Sequence, residues 1–384
     1  MKYISFLLHA YQPPWQFPEM LKRIIAECYD PMFDFILKNE NARFTVNINY
    51  SLLEQIEREG YVGLLRKIRM AAEGGRIELT GSGAFHPILP LIPQKEAERQ
   101  IELNKQGVER ILGISHLTGF FPPEMAFSAR LTSIVKSNYL WTITEDVPVI
   151  LEHGYRPYDF ISLVNGLQVF LRNSFWSKKI AFKNDNFNGR DIVRWIFENL
   201  SRLNREDSAY VILAMDMETF GHHIPGYISF LEQFVNDLRE RKEIKLALIT
   251  ELLNLFPLRE LRIPPSNWGM EPQQFLKKNY FALWKNRNNP AHLLLWQIVN
   301  LALSSLKPDN SETRDLMDRA LNSCQFWWLS NGHLNYFFAF QTLPFLLKII
   351  AEDKPENLPA ARDIILELEK TTRFQIIQTF KLQI

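Results

Sequence analysis

Two acidic segments contain the residues whose types and spacing best suit proton transfer and nucleophilic attack. In GFFPPEMAFS (119–128), Glu124 follows an apolar run and a pair of prolines, with Phe121 and Met125 close by. A carboxylate in such apolar company is costly to bury unless it has partners or a chemical task. An exposed glutamate in a turn, or a charge at a helix N-terminus, is the alternative interpretation.

The second segment is VILAMDMETFGHHIPG (211–226), in which Asp216 ends a strongly apolar run and Glu218 stands two residues later. If the chain stays extended, these two carboxylates share a face. Like charges so close raise one pKa, as a general acid working near neutral pH requires. His222 and His223 follow, so a metal or capping cluster, or a solvated turn, is an alternative interpretation.

Together, the two segments suit the cleavage of a glycosidic bond with retention of configuration. That reaction needs two carboxyl groups about 5–5.5 Å apart, one nucleophilic and one able to give and take a proton.

The elements that must position these residues alternate between short apolar runs and amphipathic stretches. Strands are predicted at 4–10, 43–49, 76–81, 117–122, 141–144, 167–172 and 210–216, with a weaker eighth candidate at 245–250. Helices are predicted at 19–38 with an interruption near Pro31, at 51–72, 94–112, 189–203 and 228–240, and from about Ser128. This alternation favours parallel strands with crossover helices, and the strand count favours an α/β fold built on a (β/α) barrel.

Polar residues recur where the predicted strands end. They are His9, Asn47, Asn49, Thr80, Glu124, Glu145, Asp146, Arg172 and Asp216. In a parallel barrel the carboxyl ends of the strands share one face, and that face carries the active site. The sequence therefore predicts that these side chains converge.

The sequence pattern changes after residue 256. The stretch 263–290 is rich in Pro, Asn and Trp and is predicted to be irregular, whereas the segments from Ala291 onward have helical spacing. We predict a catalytic barrel domain over 1–256 and a C-terminal helical domain over 257–384 that contributes to the substrate cleft. Core packing is the favoured interpretation of Trp268, Trp284 and Trp296.

Composition narrows the class of ligand. The 44 Lys plus Arg residues almost balance the 43 Asp plus Glu residues. A near-neutral chain has no general attraction to nucleic acid or to an anionic membrane, so a neutral oligo- or polysaccharide is the expected partner. The two cysteines support no disulfide framework, and no apolar run reaches the length of a membrane span. We predict a cytoplasmic protein without a cofactor, and leave its oligomeric state open.

Several other chemistries lack their motifs. The sequence contains no P-loop, no GxGxxG after a strand and no GxSxG elbow. The DMETFGHH spacing is not HExxH, so no metal site is predicted. A metal-dependent enzyme of the deacetylase or mannosidase kind on a similar barrel remains an alternative, with His9, Asp216 and His222 as ligands.

The chain resembles glycoside hydrolase family 57 along most of its length. The segments that carry this resemblance are LHAYQPP (8–14), ELTGSGAFHPILPLIP (78–93), GFFPPEMAFS (119–128), FLRNSFWSKKIAF (170–182), AMDMETFGHH (214–223) and LNSCQFWWLS (321–330). Each motif is short, but their number and correct order make the resemblance specific. In the first segment His9, Gln12 and Pro13 match the family, whereas Tyr11 stands where a second histidine is usual.

The resemblance implies a seven-stranded (β/α) barrel followed by a C-terminal helical domain, α-linked glucan substrates, a retaining mechanism and no required metal. It assigns Glu124 as the nucleophile and Asp216 as the general acid/base. The residues expected to bind or orient the substrate are His9, Gln12, His86, Arg172, Glu218, His222, Trp327 and Trp328. For Trp327 and Trp328, packing in the core of the helical domain is an equal alternative. The expected activity is amylase-like hydrolysis or 4-α-glucan transfer. A carbohydrate-binding or regulatory protein with weak catalysis is the second alternative.

Overall fold

The computed structural model describes residues 1–182, 186–203, 208–330 and 334–381, with only the backbone described from 374 onward. The chain divides into two compact units. The first comprises residues 1–12, 16–84 and 89–268, and the second comprises 13–15, 85–88 and the residues from 269 onward. The domain boundary after residue 256 stays a prediction. No helix in the described ranges combines the length and the apolar character that crossing a membrane requires.

The first unit is built around a closed barrel of parallel strands. Its strands are β1 (Lys2–Ala10), β2 (Phe44–Ile48), β3 (Ile77–Gly81), β4 (Gly119–Phe120), β5 (Trp141–Glu145), β6 (Ile161–Val164), β7 (Leu167–Arg172), β8 (Ala209–Asp216), β9 (Ile244–Leu246) and β10 (Leu258–Glu260). The barrel runs in the order β8-β1-β2-β3-β4-β5-β7, and a pairing between β7 and β8 closes it. The seven strands of this ring are the seven main candidates from the sequence, so the predicted (β/α) barrel is confirmed.

Three strands lie outside the ring. β9 corresponds to the weak eighth candidate and pairs in parallel with the first residues of β1. β6 pairs antiparallel with β7, and β10 pairs with β6. β4 is shorter than predicted because Pro122 and Pro123 follow it, and proline has no N–H to donate to a sheet.

Helices cover the outside of the ring. Those of the first unit are α1 (Pro18–Ile24), α2 (Asp30–Lys38), α3 (Tyr50–Arg58), α4 (Val62–Glu73), α5 (Gln94–Leu112), α6 (Leu131–Val135), α7 (Val147–His153), α8 (Ser174–Ala181), α9 (Gly189–Leu203), α10 (Ile228–Glu240) and α11 (Ile249–Leu252). The predicted helices 19–38 and 51–72 are each divided in the structure, the first slightly before the expected place and the second without an expected break. A π-helical turn, Ile25–Tyr29, separates α1 from α2, whereas Pro31 lies in the first turn of α2. Gly60, with φ +77°, lies between α3 and α4.

The helices of the second unit are α12 (Pro272–Leu276), α13 (Pro290–Ser305), α14 (Ser311–Ala320), α15 (Cys324–Trp327), α16 (Tyr336–Ala339), α17 (Leu343–Asp353) and α18 (Leu358–Lys381). The expected helical character of the chain after the barrel is therefore confirmed. Trp284 and Trp296 are buried here, as predicted, and Trp296 stacks on Phe326 with ring centroids 4.3 Å apart.

Alternation along the strands decides which side chains fill the barrel. Leu7, Ile143, Phe170 and Ala214 belong to one buried cluster contributed by four strands of the ring. Because side chains alternate between the two faces of a strand, residues two positions further on point to the same side. On these four strands those residues are His9, Glu145, Arg172 and Asp216. The apolar filling of the barrel thus gives way to a polar layer at its carboxyl end.

Candidate active site

Glu124 lies in a short turn just after β4. Its backbone adopts φ 60° and ψ 18°, and Met125 follows with φ 47°. Two successive non-glycine residues in the left-handed region cost about 1–2 kcal/mol each, and such strain clusters at active sites. The turn is supported from β5, where the Thr144 hydroxyl donates a hydrogen bond of 3.0 Å to the carbonyl of Met125.

A second support of the Glu124 turn comes from the chain that follows the barrel. Phe127 and Ser266 exchange two backbone hydrogen bonds of 2.8 and 3.0 Å. This pairing brings Trp268 to Glu124, and the backbone N–H of Trp268 donates to the carbonyl of Glu124 at 3.1 Å. The indole Nε1–H of Trp268 donates to Oε2 of Glu124. The half-buried carboxylate is thereby held in one orientation.

Asp216 is the last residue of β8 and is exposed. Its strand neighbour is His9, since the two residues are paired in the parallel register of β1 and β8. The ring of His9 stacks on Phe121, three residues before Glu124, with centroids 4.6 Å apart. His9 therefore lies between the strand end that carries Asp216 and the turn that carries Glu124.

A chain of hydrogen bonds fixes the imidazole of His9. Nδ1 of His9 lies 2.8 Å from Oδ1 of Asn47, whose amide nitrogen donates to the hydroxyl of Thr80 at 3.0 Å. Because Oδ1 of Asn47 can only accept, Nδ1 of His9 carries the hydrogen. Burial lowers the pKa of His9, although the nearby charge of Asp216 acts in the opposite direction. The imidazole is thus neutral near pH 7, with Nε2 unprotonated.

Glu218 is buried behind Asp216. Its Oε1 accepts hydrogen bonds from Gln12 Nε2 at 3.0 Å, from the Tyr11 backbone N–H at 3.4 Å and from the Tyr29 hydroxyl. Burial, reinforced by the charge of Asp216, raises the pKa of Glu218 to about 8. Glu218 and Gln12 thus form one network, and both side chains are buried.

His222 and Arg172 are each engaged by a carboxylate. Nδ1 of His222 lies 2.6 Å from Oε2 of Glu27. Nη1 of Arg172 donates to Glu145 at 2.9 Å, and both of these side chains are buried. Burial raises the pKa of Glu145, whereas the guanidinium of Arg172 opposes this effect. An ion pair formed by neighbouring strand ends thus underlies the polar layer.

The remaining three predicted site residues lie in the second unit. Nδ1 of His86 is 2.9 Å from the hydroxyl of Ser323, and His86 has φ 60°. Trp327 and Trp328 are half-buried and pack edge to face, with centroids 4.6 Å apart. The seven others, including both carboxylates, lie in the first unit. The roles of all ten stay predictions.

The candidate metal ligands have other partners. His9 is bonded to Asn47, and His222 to Glu27. Within the described ranges, no group of three or more His, Cys, Asp or Glu side chains could hold a metal ion. The metal-dependent alternative therefore has no ligand set in the described part of the chain.

Two residues at the site were not recognised from the sequence. Trp268 was interpreted as core, yet it bonds both the backbone and the carboxylate of Glu124. Tyr29 lies in an amphipathic stretch whose pattern indicates only a helix, yet its hydroxyl reaches Glu218. The aromatic-rich segment 263–290 was a signal for Trp268, whereas nothing local distinguished Tyr29.

Comparison with known proteins gives a family match. The sequence model of "Glycosyl hydrolase family 57" matches residues 7–265, more than half of the 384 residues. An alpha-amylase of Pyrococcus horikoshii is 25% identical over 375 residues, covering 85% of this chain and 56% of the relative. A 4-alpha-glucanotransferase of Thermococcus litoralis is 25% identical over 377 residues, covering 85% of this chain and 54% of the relative. The chain thus spans about half the length of these relatives.

Solved structures support the fold. An exo-type maltose-forming amylase from Pyrococcus sp. ST04 superposes with a TM-score of 0.73 at 15% identity. The superposition covers 99% of this chain and 85% of the amylase.

Proposed function

Because this chain belongs to glycosyl hydrolase family 57, we propose that it cleaves or transfers α-linked glucans with retention of configuration. In this proposal Glu124 is the nucleophile and Asp216 the general acid/base. The alpha-amylase and 4-alpha-glucanotransferase relatives support an α-glucan as the substrate. The near-neutral charge of the chain suits such an uncharged ligand.

The observation that carries the proposal is the way Glu124 is held. A strained turn after a barrel strand presents its carboxylate, and the indole of Trp268 orients that carboxylate. Strain of this kind persists only where surrounding contacts impose it, and it is typical of catalytic groups. Asp216 lies at the end of another strand of the same barrel, with His9 beside it.

The reaction proceeds in two displacements. Glu124 attacks the anomeric carbon while the bond to the leaving oxygen breaks, and the carboxyl group of Asp216 gives its proton to that oxygen. A water molecule or a sugar hydroxyl then attacks the glycosyl-enzyme, and the carboxylate of Asp216 takes the proton of the attacking oxygen. The second step restores both the free carboxylate of Glu124 and the protonated Asp216.

Neighbouring groups assist in defined ways. The N–H of Trp268 holds the attacking carboxylate in one orientation, which reduces the entropy lost on reaching the transition state. A neutral His9 keeps an additional positive charge away from Asp216, and its unprotonated Nε2 accepts a hydrogen bond from a substrate hydroxyl. His86, Trp327 and Trp328 are proposed to contact sugar residues of the substrate.

Product analysis tests the proposal directly. The purified protein is incubated with maltoheptaose beside the Glu124→Gln and Asp216→Asn variants, and the products are separated by chromatography. Shorter products alone indicate hydrolysis, and longer and shorter products together indicate transfer. Both should vanish in Glu124→Gln and form at least about 10²-fold more slowly in Asp216→Asn. The anomer formed first, observed by NMR, should be α. Substantial activity in Glu124→Gln, or a β-anomer as first product, contradicts the assignment.

A further inference from the structure

One helical turn contacts the loop that follows Asp216 through three consecutive residues. The π-helical turn Ile25–Tyr29 inserts an extra residue between α1 and α2. Single π turns of this kind are rare and are often found at functional sites. Glu27, Cys28 and Tyr29 all lie in this turn, and each bonds a different residue of the segment 217–222.

Tyr29 makes the innermost of these contacts. Its hydroxyl donates to Oε1 of Glu218 and accepts from Nε2 of Gln12 at 3.0 Å. Burial and the charge of Glu218 raise the pKa of Tyr29 well above its usual value, so the hydroxyl stays protonated and remains a donor. Glu218 is therefore held from the side of the helix and from the end of β1 at once.

The other two contacts hold the backbone on both sides of Glu218. The thiol of Cys28 donates to the carbonyl of Met217 at 3.1 Å, immediately after Asp216. Nδ1 of His222 lies 2.6 Å from the carboxylate of Glu27. Backbone N–H groups of His222 and His223 also donate to the carbonyl of Glu218, at 3.1 and 2.8 Å. The loop 217–223 is thus fixed both by hydrogen bonds within itself and by hydrogen bonds to the π turn.

The approach of the two backbones is unusually close at Gly221. This residue has φ +140°, and a Cβ built there would lie 2.0 Å from the carbonyl oxygen of Glu27. Only glycine allows both the conformation and the contact. The loop after β8 and the π turn are thus fitted to each other over their whole common length.

We propose that the π turn positions Asp216 for proton transfer, with Tyr29 and Glu218 as the positioning residues. This inference rests on the proposed function of Asp216. No side chain in the described ranges forms a hydrogen bond with the exposed carboxylate of Asp216, so the placement of this carboxylate depends on the backbone that follows it. A displacement of a catalytic group by about 1 Å can lower the reaction rate by about 10²-fold.

The groups that face Glu218 explain why a carboxyl group suits this position. They are Asp216 on its own strand end, Tyr29 and Cys28 on the π turn, and Gln12 and the Tyr11 N–H after β1. A protonated Glu218 accepts from three donors through its carbonyl oxygen and carries no charge in this buried position. Replacing it by leucine keeps the approximate size but removes the oxygen that these donors bond, which loosens the loop. Glutamine, in contrast, keeps a carbonyl oxygen that can accept from the same donors.

A pair of substrates separates a positioning role from a merely structural one. Cleavage of maltoheptaose requires protonation of the leaving oxygen, whereas the fluoride of α-maltotriosyl fluoride leaves without a proton. Because kcat/KM reports on the first displacement, it depends on the acid for the first substrate and not for the second. Both kcat/KM values are measured for wild type, Tyr29→Phe and Glu218→Leu.

We expect each variant to lose at least about tenfold in kcat/KM with maltoheptaose, part of the 10²–10⁴ that general acid catalysis contributes. With the fluoride the loss should stay below about threefold. The matched control is Tyr210→Phe, which removes a buried hydroxyl that donates to the carbonyl of Phe160 at 2.9 Å. This control should leave the ratio of the two kcat/KM values unchanged.

Parallel losses on both substrates, or no loss on either, would overturn the positioning role while leaving the proposed function intact. A wild-type protein inactive on both substrates would instead refute the proposed function and this inference with it. If Glu218→Leu loses its native circular dichroism, the nearly isosteric Tyr29→Phe decides by the same ratio.

Discussion

The turn that carries Glu124 and the loop that carries Asp216 are held by different means. Glu124 depends on its own backbone, which occupies the left-handed region, and on one indole that reaches its carboxylate. Asp216 has ordinary extended backbone angles, and it is the loop behind it that is tied to a helix by three side chains.

The difference matches what each group has to do. A nucleophile must be aimed at one atom, and a hydrogen bond to the carboxylate itself achieves this. A general acid/base must exchange protons with a leaving group and then with an incoming one, so its carboxylate has to stay accessible. Such a group is better held rigid through the backbone that follows it, so that its carboxylate stays free to react. The network of Glu218 and Tyr29 holds this part of the backbone.

The largest effect should come from removing the two carboxylates themselves. Glu124→Ala is expected to lose on the order of 10⁴-fold or more in kcat with both maltoheptaose and α-maltotriosyl fluoride, because no covalent intermediate can form. Asp216→Ala should lose about 10²–10⁴-fold with maltoheptaose, but far less in kcat/KM with the fluoride. Steady-state kinetics with both substrates checks this, and equal losses for Asp216→Ala would contradict the division of roles.

A smaller effect should follow from Trp268→Phe, which keeps an aromatic ring but removes the N–H that orients Glu124. A hydrogen bond to a charged group contributes about 1.5–3 kcal/mol, so kcat/KM should fall roughly 10- to 100-fold. The fall should be similar for the two substrates, unlike that of Tyr29→Phe, because both need the nucleophile. The control is Trp195→Phe, a half-buried tryptophan on α9, whose activity should match wild type.

The close contact at Gly221 predicts a loss of stability. Gly221→Ala combines an unfavourable φ with a clash against the carbonyl of Glu27, for an expected cost of roughly 2–5 kcal/mol. Gly60→Ala is matched in having a positive φ of +77°, but its added Cβ meets no described atom within 4 Å. It should cost only about 1–2 kcal/mol. Urea denaturation measures both, and equal costs would remove the evidence for a tight fit.

The most gradual effect, spread over several pH units, concerns the pH dependence of stability. The pKa of Glu218 is raised from 4.5 to about 8 in the folded protein. Between these values the folded state retains a proton that the unfolded state has lost. The contribution of this group is therefore complete below the unfolded pKa and is lost as pH rises through the folded pKa, at about 1.4 kcal/mol per unit.

Glu218→Gln should flatten this decline. The free energy of unfolding of wild type and of Glu218→Gln is measured from pH 4 to 9. Below the unfolded pKa of 4.5 the two curves should have similar slopes. Between 4.5 and about 8 the wild-type curve should fall more steeply. Identical slopes throughout would mean that the pKa of Glu218 is not raised in the folded state, and that its buried carboxyl group is ionised near neutral pH.

Much of the barrel could be predicted because its signals are local. A strand buried on both faces shows a continuous apolar run, as in residues 6–8, and a helix such as 189–203 shows its period within fifteen residues. Polar residues that end such runs can be assigned to one face of the barrel from the rule for parallel strands alone. The seven ring strands and the convergence of His9, Arg172 and Asp216 followed from this.

The sequence did not reveal irregular backbone in places where the hydrophobic pattern of the helix or strand stayed unchanged. One inserted residue in the π turn leaves the amphipathic character of 19–38 intact, so the sequence indicated an interruption near Pro31 but not its π-helical nature. The prolines after β4 indicated a turn, but not that the strand is only two residues long. The strands β6 and β10 were not predicted, since each has four residues or fewer and lies outside the ring.

The sequence by itself determined the number of ring strands, the polar layer at their carboxyl ends and the candidate carboxylates Glu124 and Asp216. Only the tertiary structure decided what holds them. Trp268 stands 144 positions from Glu124, and Tyr29 stands 189 positions from Glu218. Contacts over such separations leave no periodic trace in either segment, because they depend on how strands close into a barrel and which helix then lies behind each strand end.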